Sequence, residues 1–372
     1  MSALRSLGRQ LKRNAQPECS PIGLEFGADG LHMVQLGWDA RAKPVVRAQA
    51  MLPYAVRRQD TLSSLAAVKK LVKQGLAKAP FKGRRVITAL AAEDTRLLSV
   101  TYQTRPGESD DAAIAKVMAE RIDDDLAQFV IDYIPVRTEA RDGDRLALVV
   151  ISERNSVIAR LELLRKAGLQ VEALEITPVA IRRMISTLIA DSPSQDVLVI
   201  NVGDDATHLV VVSGRRLLFE QRVEFGVDQL MATLTQALDL TPQLVEELVA
   251  KRGLSSPGDY AADETAAQET GQFSPVVEIL RPHFRILVNE IRRALQFANA
   301  ETRGGQMSEA FLLGSIGGWR GATDFLSELT GLSVSIPPAL STAPGVAADV
   351  STGSIGAVIA TGLALRGMQD NA

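Results

Sequence analysis

Asp196-Val-Leu-Val-Ile-Asn-Val-Gly-Asp-Asp-Ala-Thr207, continued by His208-Leu-Val-Val-Val-Ser-Gly214, decides the fold of this chain. It reads as a buried apolar strand, a tight polar turn opened by Gly203, and a second apolar strand. A glycine there allows a sharp reversal in which several backbone N–H groups point the same way, the geometry of an anion cradle. The pattern has a near-copy 176 positions earlier, where 198–212 falls on 22–36. Gly203 then lies on Gly27, Asp205 on Asp29, His208 on His32 and Val210 on Val34, and apolar positions otherwise meet mostly apolar ones. Two such units far apart in one chain predict a two-lobed α/β molecule with an equivalent hairpin in each lobe. The alternative is coincidence between two ordinary hairpins. Because turn glycine, acid and histidine all keep register, duplication is the better reading.

Composition narrows the classes. A chain of 372 residues can bury one large or two medium cores. Aromatics make up only 4%, so those cores must be aliphatic. A net charge of −3 provides no global basic field, which argues against nucleic acid as the main partner. Cys19 is the only cysteine, which excludes an internal disulfide and fits a reducing compartment. His32, His208 and His283 are scattered, so a zinc site is not expected. No secretory signal is legible. The longest apolar stretch, 355–365, is short, carries Gly356 and Gly362, and reads as a buried helix.

Periodicity orders the rest of the chain. Residues 1–20 form a basic head with Leu4, Leu7 and Leu11 on one helical face. It reads either as a weak interfacial helix drawn to anionic lipid or as a solvated terminus. Strands are expected at 45–53, 86–91, 97–102, 130–136, 146–151, 171–176, 217–225, 310–313 and 334–336. Helices are expected at 61–79, 110–129, 155–167, 178–189, 228–238, from 242 after the cap Thr241, at 275–300, 322–330 and 354–366. Asp123-Asp124-Asp125 reads as a solvated face, since acids in one short run do not converge on a metal. The polar stretch 255–272 reads as a surface excursion, and Gly304-Gly305 ends the long helix before it.

Two glycine-turn hairpins and a late strand–glycine loop–helix, Ala310 to Gly318, resemble the segments that close on a nucleotide in the actin/Hsp70/sugar-kinase superfamily. From about residue 21 to the end the chain resembles one branch of it, the PilM-type actin-like proteins of type IV pilus and type II secretion-like machines. The first hairpin of that family reads roughly Ile-Gly-Ile-Asp-Ile-Gly-Ser-Ser-Ser-Val-Lys; here it is Ile22-Gly-Leu-Glu-Phe-Gly-Ala-Asp-Gly-Leu-His32. Asp132-Tyr133, Lys166-Ala-Gly-Leu169, Asn289-Glu-Ile-Arg-Arg-Ala-Leu295 and Ala360-Thr-Gly-Leu-Ala-Leu-Arg366 match further family stretches in order. The resemblance implies an actin-like, ribonuclease H-like duplicated fold with an FtsA-like 1C subdomain. Its subdomains fall at 21–92 with 167–192 and about 351–372 (1A), 93–166 (1C), 193–226 with 306–350 (2A) and 227–305 (2B).

The resemblance also implies an ATP/Mg²⁺ site. Its residues would be Glu25, Gly27, Ala28, Asp29 and His32 in the first hairpin, and Asn201, Gly203, Asp204 and Thr207 in the second. Gly226, Glu246, Gly314, Ser315 and Ile316 complete the set, with Glu25 holding the metal through water. Several of these depart from the family pattern. Glu25 replaces an aspartate, and His32, mostly neutral at pH 7, replaces a lysine that reaches the terminal phosphates. Asn201 replaces an acid and removes a charge from the metal's outer sphere. The lysine beside adenosine falls on Val249, with Lys251 nearby. Ile316 stands where a third glycine is expected, and a β-branched residue suits a positive-φ turn poorly, although the loop could slip to use Gly317-Gly318. Phosphoryl transfer depends on positioned charge, so these losses should damage turnover more than fold.

The reading that follows is a cytoplasmic scaffold, peripheral at the inner membrane, with a degenerate nucleotide site. Its implied partner is the N-terminal peptide of a PilN-like bitopic inner-membrane protein, lying in a groove between 1A and 1C; self-association through 1C is the alternative use of that surface. An active Mg-ATPase of the same machinery, a small-molecule kinase using Asp204 or Asp205, and the cytoplasmic domain of a type II secretion protein are the competing readings.

Overall fold

The computed structural model describes residues 19–122, 125–137, 143–192, 196–255, 275–302, 307–346 and 354–369. The basic head up to residue 18, Asp123 and Asp124, nearly all of the 255–272 excursion and Gly304-Gly305 lie outside the described residues.

Thirteen strands are described: β1 (Ile22–Phe26), β2 (Gly30–Trp38), β3 (Pro44–Pro53), β4 (Arg85–Leu90), β5 (Arg96–Tyr102), β6 (Phe129–Arg137), β7 (Arg145–Glu153), β8 (Gln170–Ile176), β9 (Asp196–Val202), β10 (Thr207–Ser213), β11 (Arg216–Val223), β12 (Glu309–Gly314) and β13 (Ser333–Ser335). They form a sheet ordered β3-β2-β1-β4-β8, a second ordered β11-β10-β9-β12-β13, and a small third ordered β5-β7-β6. The two large sheets are built alike. In each, an antiparallel hairpin supplies the central strand, and two strands parallel to it follow on the far side.

The likeness extends to single pairs. Gly23 faces Val34, Leu24 faces Met33 and Glu25 faces His32 in the first hairpin. In the second, Val199 faces Val210, Ile200 faces Leu209 and Asn201 faces His208. These are the same pairs moved by 176 positions, so the offset read in the sequence is a pairing register.

The inner face of the first sheet, the helix Thr177–Leu188, the C-terminal helix Ile355–Gln369 and the second sheet share one aliphatic core. The C-terminal helix crosses β1 so closely that a Cβ on Gly23 would stand 1.8 Å from the Ala360 carbonyl oxygen. It meets the helix Thr177–Leu188 as tightly, for a Cβ on Gly362 would stand 2.0 Å from the Ala180 carbonyl oxygen. The stretch is therefore a buried helix, and among the described residues no helix is long and apolar enough to cross a membrane. The outer face of the first sheet packs on the helices Leu65–Lys78 and Arg154–Lys166 around Leu24, Phe26, Val68 and Leu164. The third sheet has its own small core with the helix Asp110–Arg121. Its other side, through Val136, Leu146 and Leu148, joins the main core. Arg216 donates a hydrogen bond to the Val136 carbonyl and so ties it to the second sheet.

Two expected helices change. The segment 61–79 is two helices, Arg58–Ser63 and Leu65–Lys78, because Ser64 caps the second by accepting from the Ala67 N–H. The helix expected to run to 129 stops at Arg121. Phe129 is drawn into β6, where it faces Glu153 and packs on the third sheet's core.

Candidate functional site

Both glycine turns lie where the central strand of a large sheet ends, and they are held differently. In the first, β1 ends in Phe26 and the chain turns through Gly27, Ala28 and Asp29, with Ala28 and Asp29 exposed. Side chains clasp this turn from behind. Tyr54 donates to the Gly27 carbonyl at 2.9 Å, and Arg58 Nε donates to the Phe26 carbonyl at 3.0 Å. Arg58 Nη1 continues to Glu93 Oε1 at 2.5 Å. Arg160, from the helix Arg154–Lys166, lies over the Phe26 ring at 4.6 Å from its centroid. Glu25 sits among these groups. Burial pushes its carboxyl up to about 7, against the pull of Arg160, Arg58 and His32. His32 is 1% exposed. Its Nε2 is 2.8 Å from Asp29 Oδ1, its Nδ1 has no partner, and its ring lies against Gly356, where a Cβ would come within 2.2 Å.

In the second turn, backbone holds backbone. The Gly203 N–H donates to the Ala206 carbonyl, and the N–H groups of Val227 and Asp228 donate to the carbonyls of Gly203 and Asp204. A Cβ on Gly226 would stand 2.3 Å from the Asp204 carbonyl oxygen. Thr207, fully buried, donates through its hydroxyl to the Phe225 carbonyl. The late loop closes on the same place. Gly314 pairs with Val202, and its φ of +87° would put a Cβ 2.0 Å from the Val202 carbonyl oxygen. Ser315 donates to Asp204 Oδ1 at 3.1 Å. Asn201 Oδ1 is buried without a partner and would lie 3.0 Å from a Cβ on Gly314.

The structure therefore gathers Asn201, Gly203, Asp204, Thr207, Gly226, Gly314 and Ser315 around one turn, and Glu25, Gly27, Asp29 and His32 around the other. Two of the positions that depart from the family pattern face inward. Ile316 is not at positive φ, is fully buried and belongs to the main core. The positive φ falls on Gly314 alone, and Ser315–Gly318 winds as a short 3₁₀ turn. Val249 is 4% exposed on the buried face of the helix Pro242–Arg252, while Glu246 on that helix is exposed. A lysine at 249 would point into the core. Tyr54, Arg58, Glu93 and Arg160 carried no signal in the sequence; they arrive from three separate segments, after β3, β4 and β7.

Of the residues the resemblance assigns to ATP with Mg²⁺, the Glu25 carboxyl, raised to about 7, is only partly ionised at neutral pH, Asn201 is neutral, and the carboxylates of Asp29 and Asp204 are engaged by His32 and Ser315. Among the described residues no group of three or more His, Cys, Asp or Glu side chains could hold a metal ion.

A second site lies between the third sheet and the first. A groove of about 260 Å³ runs beside β6, past Val130, Asp132 and Ile134 on one side and Leu174 and Ile176 of β8 on the other. Both β6 and β8 are edge strands of their sheets. Ser152 and Val157 lie in its wall, and Ser152 Oγ is buried without a partner. Its end is set by a buried ion network. Glu175 accepts from both Nη atoms of Arg183 at 2.7 Å and from Arg366 at 2.8 Å, and Arg183 also donates to the Gly362 carbonyl.

A family model described as type IV pilus assembly protein PilM matches residues 23–368. The chain belongs to that family. Among solved structures, a PilM–PilN type IV pilus biogenesis complex matches with a TM-score of 0.69 at 24% identity, covering 94% of this chain and 99% of that one. MreB5 of Spiroplasma citri matches at 11% identity with a TM-score of 0.50 in each of two structures. The one bound to AMPPNP covers 95% of this chain and 98% of that one. The one bound to ADP covers 95% and 99%. At these identities the structural likenesses show the actin-like fold alone. No curated protein matches the chain.

Proposed function

We propose that this protein is a scaffold of a type IV pilus assembly platform that holds the cytoplasmic N-terminal peptide of a PilN-like inner-membrane protein. The observation that carries this reading is the groove between β6 and β8. It is mainly apolar and is bordered by two edge strands able to hydrogen-bond an extended chain. The family match supports it, as does the neighbour's description as a PilM–PilN complex. Recruitment through such a peptide makes the protein peripheral at the inner membrane, and the basic residues of the head add weak attraction to anionic lipid.

The test is binding of a labelled N-terminal peptide of the cognate PilN-like protein, read by fluorescence anisotropy. Val130→Glu on the exposed flank of the groove should weaken it at least tenfold while the protein stays folded. Unchanged binding in this variant and in Ile134→Asp would place the peptide elsewhere.

We further infer that ATP turnover is not the working activity. Gly226 and Gly314 are demanded by close backbone approach within the second lobe, which accounts for their presence with no nucleotide bound. Steady hydrolysis by the wild type, abolished by Glu25→Ala, would overturn this.

A further inference from the structure

Two carboxylates line the groove beside β6, and their surroundings differ. The side chain of Glu175 is buried, and Arg183 and Arg366 meet its charge. Asp132 is exposed. One of its oxygens accepts the N–H of Tyr133, the next residue along the strand, at 2.8 Å. Among the described residues no Lys, Arg or His lies within ion-pair distance of it. The strand nevertheless sets this acid among aliphatic side chains. Phe129, Ile131 and Tyr133 pack on the third sheet's own core, so the alternate residues Val130, Asp132 and Ile134 face the groove. Leu174 and Ile176 of β8 lie across from them. A wholly apolar partner would strip water from Asp132 and give its charge nothing in return.

Pro135 fixes the register of any added strand. Proline has no N–H to give, and the pairing of β6 shifts between Pro135 and Arg137. An extended chain laid along the free edge of β6 therefore pairs with Val130 to Ile134. Its central residue comes opposite Asp132, and the residues two places before and after come opposite Val130 and Ile134. A terminal ammonium opposite Asp132 would have such a neighbour on one side only. A lysine or arginine inside the chain has one on both.

We propose that Asp132 is a specificity-determining residue of the groove, taking the side-chain cation of a lysine or arginine that stands in the bound peptide between two apolar residues. This rests on the peptide-binding reading and adds to it the charge and the spacing of the segment recognised. Opposite charges directly across a strand pair attract, and like charges repel. The same carboxylate therefore turns away an acidic segment. It also turns away a second copy of β6 laid in full register, whose own Asp132 would oppose it.

The probe is the N-terminal peptide of the cognate PilN-like protein, labelled at its C terminus. It is made in its own sequence, as an N-acetylated copy, and as copies with each lysine or arginine replaced in turn by glutamine or glutamate. Binding to the full chain is read by fluorescence anisotropy at low and high salt. One position should matter most: its glutamine copy binds about fivefold more weakly, and its glutamate copy more weakly still. Acetylation should change nothing. Asp132→Asn should weaken the native peptide by a similar factor, flatten its salt dependence and become indifferent to replacement at that position. Asp132→Lys should recover the glutamate copy, a gain that a misfolded variant cannot give. The proposal alone is overturned if Val130→Glu weakens the native peptide while Asp132→Asn does not, or if acetylation and no side-chain replacement reproduces the loss. A native peptide that does not bind, or that ignores both Val130→Glu and Ile134→Asp, overturns the proposal together with the groove reading.

Discussion

In the first hairpin Glu25 lies opposite His32, and in the second Asn201 lies opposite His208, yet the two turns are secured by different means. Tyr54 and Arg58 hold the first through side-chain hydrogen bonds to its carbonyls. The second is held by backbone hydrogen bonds and by glycines that let strands and loops approach within contact distance. A turn held by side chains can gather titratable groups, and the first hairpin has gathered Glu25, Arg58, Glu93 and Arg160. A turn held by backbone has little room for them, and the charged residues of the second, Asp204 and Asp205, are exposed. Equal register thus gave unequal chemistry.

The widest test of this contrast is a pair of glycine substitutions. Gly314→Ala forces a Cβ against the Val202 carbonyl at a positive φ and should cost at least about 3 kcal/mol in urea unfolding. Gly27→Ala comes closest to the Asp29 carboxylate, a movable side-chain end at 3.0 Å, with the Gly30 carbonyl and the His32 ring at an ordinary 3.5 Å, and should cost about 1 kcal/mol or less. Equal losses would break the distinction between the turns.

A smaller effect isolates the buried charge of the first hairpin. Burial raises the Glu25 carboxyl from 4.5 to about 7. Between those values the folded protein keeps a proton that the unfolded chain has released, so Glu25 opposes folding increasingly as pH rises through the window, and fully above it. Glu25→Gln should leave the melting temperature nearly unchanged at the lower end. Above the upper end it should raise the temperature by several degrees, at most about 3 kcal/mol of stability. A gain independent of pH would assign the effect to packing.

The smallest effect concerns the clasp. Tyr54→Phe removes one hydrogen bond to the Gly27 carbonyl and should cost about 1 kcal/mol. Hydrogen exchange should rise at the first turn and stay unchanged at the second. Faster exchange in both turns would show that they are coupled and not independently held.

The duplication was legible without coordinates because a turn glycine and alternating apolar residues are local features. Repeated at a fixed offset, they carry strand pairing with them. The C-terminal helix was legible for a similar reason: its run of small and aliphatic residues with two glycines suits a helix buried on every side. The ends of elements were less so. The helix from Asp110 stops at Arg121 because Phe129 gains a strand partner and a core that no local pattern reveals.

The orientations of Ile316 and Val249 and the cluster around Glu25 were settled only by tertiary structure. Ile316 points inward because the pairing of β12 with β9 places Gly314, and not Ile316, against Val202, and that contact exists only once the second sheet is assembled. Arg58, Glu93 and Arg160 meet because the chain leaves β3, β4 and β7 at neighbouring points and returns over the end of β1. Their separations in sequence are large and follow no period, so their shared electrostatics arises from the path of the chain through space.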